Sequence, residues 1–304
     1  MKYSKIMVPL DESPRSESVI PLAAQIASAL SIPVELFHVV EADVVTLKRL
    51  AGMKREQSVE EDLATVGNAY LQRVARKVPA PFNVSCKVAI GHAAESIIDE
   101  AAKDSEVLIA MATRGLSGVK KWVLGSVADK ILQASVNPLL LVKSASEEKF
   151  ERQFAIKRVI VPLDGSPLAE VALSHAIPIA KNLNANMELL RAYQMPIGVS
   201  APTPYLPSAE AVTAEALREE VEVYLRDKVS QARAEGVENT SYVLAMGDSA
   251  QQIIDMADQN PDALVVMSSH GRSGVGRWLL GSVAARVASH ASQPVLIVRA
   301  PSHD

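Results

Sequence analysis

The stretch ATRGLSGVKKWVLGS, residues 112–126, returns as SSHGRSGVGRWLLGS at residues 268–282. Each begins at the last residue of an apolar run, VLIAMA (107–112) or ALVVMS (263–268). Each leads into a helical pattern and then a proline-led apolar run, PLLLV or PVLIV. A short run with no polar alternation predicts a strand buried on both faces, and the glycines after it predict a loop. Helices are expected to open near Gly125 and Gly281. Because the stretch is duplicated, the chain is read as two copies of one unit.

The duplication extends outward in both directions. KIMVPLDESP begins at Lys5 and KRVIVPLDGSP at Lys157, while IGHAAESIIDEA (90–101) parallels MGDSAQQIIDMA (246–257). Asp11 and Asp164 are 153 residues apart and Gly125 and Gly281 are 156 apart, so the second copy is three residues longer between these landmarks. The charged stretch SASEEKFERQF, 144–154, reads as the linker between a first domain, 1–143, and a second, 155–304.

Within each copy the apolar periodicity alternates between strand and helix. The first strands are Ile6–Leu10 and Val159–Leu163, each followed by Asp and then Ser-Pro. Ser13 and Ser166 have the position of helix N-caps, with Pro14 and Pro167 at the first helical residue. VELFHVV and MELLRAY read as second strands, NVSCKVAI and TSYVLAM as third strands. Between them Ser58–Lys77 and Ala209–Ala234 read as long amphipathic helices. Ala94–Ala102 and Ala250–Ala257 read as shorter ones. This alternation predicts an α/β fold of two tandem Rossmann-like domains. Each is an open five-stranded parallel sheet of order 3-2-1-4-5 with helices on both faces. Open sheets of this kind take ligands at the carboxyl ends of their strands. Asp11, Asp164 and the segments 111–114 and 267–270 fall at that edge.

Composition narrows the function. Of the 304 residues 48% are hydrophobic but only 4% are aromatic, which suits Ala-, Val- and Leu-rich helices on a buried sheet. A net charge of −4 gives no basic signature for nucleic acid. Cys86 is the only cysteine, so no intrachain disulfide forms. The first residues lack a secretory pattern and no apolar run of about 18 residues occurs, so the expectation is a cytoplasmic protein without a membrane span.

The chemistry sits in the duplicated glycine-rich stretch. Glycines allow positive φ and close approach of backbone amides to a ligand. A helix opening at Gly-Ser presents unbonded amide hydrogens and the positive end of its dipole, an anion site to which the Ser126 and Ser282 hydroxyls add donors. Neither copy carries a GxxxxGK[ST] loop or GxGxxG after the first strand. His270 stands where the first copy has Arg114, which never acts as a base near neutral pH, and this argues against a shared hydrolytic role. The bland reading is that the glycines merely pack turns and that Asp11 and Asp164 merely cap helices.

Each copy resembles a universal stress protein domain, over about residues 2–143 and 155–300. The family's ATP-binding members carry GxxG, nine residues, then G[ST]. Gly115 and Gly125 bracket nine residues here, as do Gly271 and Gly281. VPLDES and VPLDGS resemble the first-strand signature. The resemblance implies ATP binding. Pro9, Asp11, Pro162 and Asp164 would lie beside the adenine, with backbone contacts from Val39 and Ala192. Met111, Ala112, Arg114 and Gly115, and Met267, Ser268, His270 and Gly271, would wrap the ribose and phosphates. Gly125, Ser126, Val127, Gly281, Ser282 and Val283 would hold the phosphates, with Mg²⁺ as the candidate metal travelling on them. It also implies pairing through the fifth strands, between the copies or in a homodimer.

Two departures stand out. Ala112 and Ser268 replace the motif's first glycine, where positive φ would strain them. The glycine after the first-strand Asp is kept as Gly165 but is Glu12 in the first copy, which favours the second copy as the ATP site. The proline-rich stretch Gln194–Ala209 reads either as a lid over the ligand mouth or as a surface loop. The functions that follow are an ATP-binding regulator of a stress response, a slow ATPase, or a nucleotide-free dimerisation scaffold.

Overall fold

The structure is a computed structural model that describes residues 3–41, 56–78, 83–113, 124–143, 155–193, 209–271 and 280–299. The expected linker, Arg114, Gly115 and nearly all of the proline-rich stretch lie outside the described residues. The chain divides into two compact units that meet in sequence at Ala155–Ile156.

In the first unit the strands are β1 (Lys5–Leu10), β2 (Val34–Val40), β3 (Val84–Ile90), β4 (Val107–Ala112) and β5 (Leu139–Val142). Their order is β3-β2-β1-β4-β5, and every pairing is parallel. The helices are α1 (Pro14–Glu17), α2 (Ile20–Leu30), α3 (Glu56–Ala75), α4 (Ala93–Ala102) and α5 (Ser126–Ala134). The second unit repeats this order. Its strands are β6 (Arg158–Pro162), β7 (Asn186–Tyr193), β8 (Thr240–Met246), β9 (Ala263–Ser268) and β10 (Val295–Val298), arranged β8-β7-β6-β9-β10, again parallel. Its helices are α6 (Pro167–Leu183), α7 (Ala209–Ala234), α8 (Ser249–Gln259) and α9 (Ser282–His290).

The buried runs behave as their composition dictates. All six residues of β4 and of β9 are buried, as expected of central strands covered on both faces. The edge strand β3 instead alternates between half-buried and exposed positions. Ser13 and Ser166 cap α1 and α6, accepting from Ser16 N at 3.1 Å and Ala169 N at 3.2 Å. Ser31 and Asn184 close α2 and α6 in left-handed conformation, with φ 55° and 51°. Lys5–Glu35 (2.8 Å) and Arg158–Glu188 are equivalent ion pairs joining the first and second strands of each unit.

The first helix differs between the units. Pro21 lies in the first turn of α2, and the missing N–H there leaves α1 as a separate four-residue helix. The second unit has Ser174 at that position and runs through as one helix of 17 residues, with Pro178 inside it.

Candidate functional site

Both units carry a cavity at the carboxyl ends of their strands, about 450 Å³ in the first and about 460 Å³ in the second. Three local devices build each one. First, Asp11 Oδ1 accepts from Ser13 N (3.1 Å) and Ser13 Oγ (2.5 Å), and Asp164 Oδ1 accepts from Ser166 N (2.9 Å) and Ser166 Oγ (2.6 Å). The aspartate therefore folds the turn while the serine caps the helix. Second, Gly91 (φ 152°) and Gly247 (φ 134°) turn the chain from the third strand into α4 and α8. Their amides donate to Val40 O and Tyr193 O at the tip of the second strand.

The third device is the duplicated stretch. Thr113 N donates to Val142 O (2.9 Å) and Ser269 N to Val298 O (2.8 Å), which ties the end of the fourth strand to the fifth. Thr113 O then accepts from Gly125 N (2.7 Å), and Ser269 O from Gly281 N (2.9 Å). The two glycine amides are thus engaged in the fold. The glycine N-caps provide no side-chain acceptor, so the amides of the first helical turn, at Ser126–Val127 and Ser282–Val283, are left uncapped beside the cavity.

At Gly281 glycine is required by space and not by φ. Gly125 and Gly281 have φ −64° and −59°. A Cβ on Gly281 would stand 2.9 Å from Ser269 O, and one on Gly271 would overlap Asp164 Oδ2. Ala112 and Ser268 are the last residues of their strands and do not take positive φ, so the strain expected there does not arise. Positive φ falls elsewhere, at Gly165 (81°) and at its counterpart Glu12 (65°).

The second cavity gathers all ten residues singled out in that half: Pro162, Asp164, Ala192, Met267, Ser268, His270, Gly271, Gly281, Ser282 and Val283. The first gathers Pro9, Asp11, Val39, Met111, Ala112, Gly125, Ser126 and Val127. Arg114 and Gly115 lie outside the described residues. His270 Nδ1 is 3.0 Å from Ser269 Oγ, and its Nε2 is buried with no hydrogen-bond partner among the described residues.

Sequence reasoning missed the opposite wall. Ala93 and Ile97 of α4, and Ser249 and Ile253 of α8, line the two cavities. The signal was present in the repeated IGHAAESIIDEA and MGDSAQQIIDMA, which were read as helices but not placed at the site. Glu12 lies in the first cavity, as its place after the first-strand Asp implies, but His38 beside it and Arg191 in the second cavity were missed. His38 Nδ1 lies 2.8 Å from Leu10 O, and its Nε2 is 3.6 Å from Glu12 Oε1. Arg191 stacks over the Tyr224 ring at 5.3 Å. Burial pushes the Tyr224 phenol well above its ordinary range, and its hydroxyl donates to Glu170 Oε1 at 3.0 Å. Among the described residues no group of three or more His, Cys, Asp or Glu could hold a metal ion, and no helix is long and apolar enough to cross a membrane.

The family model described as "Universal stress protein family" matches residues 2–143 and again 155–299. A universal stress protein of Mycolicibacterium smegmatis is 28% identical over 304 residues, covering 97% of this chain and 96% of its own length. One from Methanocaldococcus jannaschii is 34% identical over 148 residues, which is 49% of this chain and 85% of that protein. The crystal structure of a universal stress protein from Archaeoglobus fulgidus superposes with a TM-score of 0.67 at 20% identity, covering 98% of this chain and 99% of that one. That likeness concerns the fold.

Proposed function

The chain belongs to the universal stress protein family, and from that premise we propose that it is a regulatory protein that binds ATP, one molecule in each cavity. The carrying observation is the duplication of a nucleotide-sized cavity with uncapped helix amides beside it. Volumes of about 450 and 460 Å³ fall in the range of small-molecule sites. Apolar residues at the second-strand tip and on α4 or α8 suit the base. The uncapped first turns of α5 and α9 suit an anionic phosphate chain through amide hydrogens and helix dipole. The crowding at Gly271 and Gly281 supports the reading further, because glycine there keeps the loop against Asp164 and open to a ligand.

In this reading the protein acts by occupancy. Nucleotide binding stabilises the liganded state by mass action, by about 2.7 kcal/mol when the ligand stands at a hundred times its Kd. Ser126, Val127, Ser282 and Val283 would hold the phosphates, and Mg²⁺ would travel with them. The same proposal includes a cytoplasmic setting and a homodimer, which sedimentation velocity with and without ATP tests.

The decisive experiment is to release and identify by mass spectrometry any nucleotide that purifies with the protein, followed by calorimetric titration with ATP. Two equivalents of ATP are expected at saturation. Protein free of nucleotide that also gives no binding heat with ATP would overturn the proposal and leave a duplicated scaffold.

A further inference from the structure

Resting on the nucleotide reading above, we propose that the two cavities are unequal sites. Arg191 makes the second select adenine nucleotides by their phosphate charge, while the first, lined by carboxylates, takes them with little regard to phosphate number.

The difference lies in the charges of the walls. Among the described residues the first cavity is lined by Asp11, Glu12 and Glu41 and by no Lys or Arg. The second is lined by Asp164 and Arg191 and by no Glu. Each also carries one imidazole, His38 or His270, so imidazoles do not distinguish them. Asp11 and Asp164 fold the same turn and cancel from the comparison. Gly165 stands in sequence at the place of Glu12, and Gln194, outside the described residues, at the place of Glu41. Two carboxylates of the first half are therefore matched by uncharged residues, and the imidazole of His38 by a guanidinium.

Burial decides which of these charges weighs most. Arg191 is 8% exposed, whereas the Glu12 side chain is 55% exposed. Water and salt screen an exposed charge far more than a buried one, so Arg191 dominates and Glu12 contributes less. The guanidinium is also a permanent charge.

The support behind it is common to both halves. Arg191 lies over the Tyr224 ring at 5.3 Å, and Tyr224 Oη donates to Glu170 Oε1 at 3.0 Å. Lys228 Nζ donates to Glu170 Oε2 at 2.9 Å, so both oxygens of Glu170 are engaged from α7. In the first half His38 meets the Tyr70 ring at 5.3 Å, and Tyr70 Oη donates to Glu17 Oε1 at 3.4 Å. The same glutamate–tyrosine pair thus backs the second strand twice, and the residue it backs is what differs.

AMP and ATP share the adenosine and differ in phosphate charge. A buried cation in a confined wall favours the more highly charged of the two, and carboxylates in the wall oppose it. The second cavity then fills with ATP in preference to AMP, the first with either, and the pair reads ATP against the total of adenine nucleotides.

The test is calorimetric titration of full-length protein with AMP and with ATP, in low salt without Mg²⁺. Wild type is compared with Arg191→Gln, Arg191→Lys and Glu12→Gln. The readout is each site's ratio of ATP affinity to AMP affinity. In wild type the two sites should differ in this ratio by about tenfold. Arg191→Gln should abolish that difference, and Arg191→Lys, which keeps the charge, should preserve it. Glu12→Gln should raise the ratio of the less selective site by about threefold. Equal ratios in wild type, a difference that survives Arg191→Gln, or one that Arg191→Lys also abolishes would overturn this proposal alone. If neither nucleotide binds, the nucleotide reading falls, and this proposal with it.

Discussion

Where β1 leaves the sheet, the first half carries Glu12 and the second Gly165; one strand over, His38 stands opposite Arg191. Around these positions the halves coincide. Asp11 and Asp164 fold the same turn, Ser13 and Ser166 cap the helix that follows, and Gly125 and Gly281 close the same bond to the end of the fourth strand. A third difference lies deeper, where Leu22 of α2 is matched by His175 of α6, each 1% exposed. The comparison teaches that turn-forming and capping residues maintain the scaffold. A handful of side chains that neither fold the turn nor cap the helix give each half its own chemistry.

The largest effect on ligand affinity is expected from Gly281→Val. Its Cβ would press on Ser269 O, so ATP affinity of the second cavity should fall roughly a hundredfold, about 2.7 kcal/mol. Titration should then find one tight site in place of two. If both sites survive, the cavity and the nucleotide site are different places.

Acid should separate the halves next. Burial pulls the His175 imidazole down to about 4. The unfolded chain takes up that proton near pH 6.5, and the folded one only near the lower value. The contribution of the neutral ring is therefore complete above about pH 6.5 and is lost as pH falls toward 4, a loss on the order of 3 kcal/mol. Hydrogen exchange across this range should show the second half opening first. His175→Leu, which installs the first half's residue, should move that opening to lower pH; an unchanged acid profile would remove His175 from the account.

The smallest effect concerns φ. At about pH 8, Glu12→Gly should raise stability by about 1 kcal/mol and Gly165→Ala should lower it by a similar amount. Thermal unfolding reads both. Equal and negligible shifts would mean that the two turns relax differently from their shared geometry.

The fold was legible because its signals are local and occur twice. VLIAMA and ALVVMS are too apolar and too short for anything but buried strands, and the structure places them at those residues. Ser-Pro after the first strand announces a capped helix, and both caps are present. The candidate site was legible only along one chain segment. Glycine spacing marked Gly271 and Gly281, yet their reason, contact with Asp164 and Ser269, depends on approach across the fold. The walls from α4 and α8 carry no chemical signature and emerged only from the packing.

The sequence by itself determined the duplication, the alternation of strands and helices, and the strand tips as the place for a ligand, because periodicity and turn chemistry act within a few residues. Only the tertiary structure decided that Glu12 meets His38, that the Gly125 and Gly281 amides are engaged, and that His175 lies in an apolar interior. Those outcomes depend on distances between residues 12 to about 120 positions apart in the chain, and no local propensity encodes such distances.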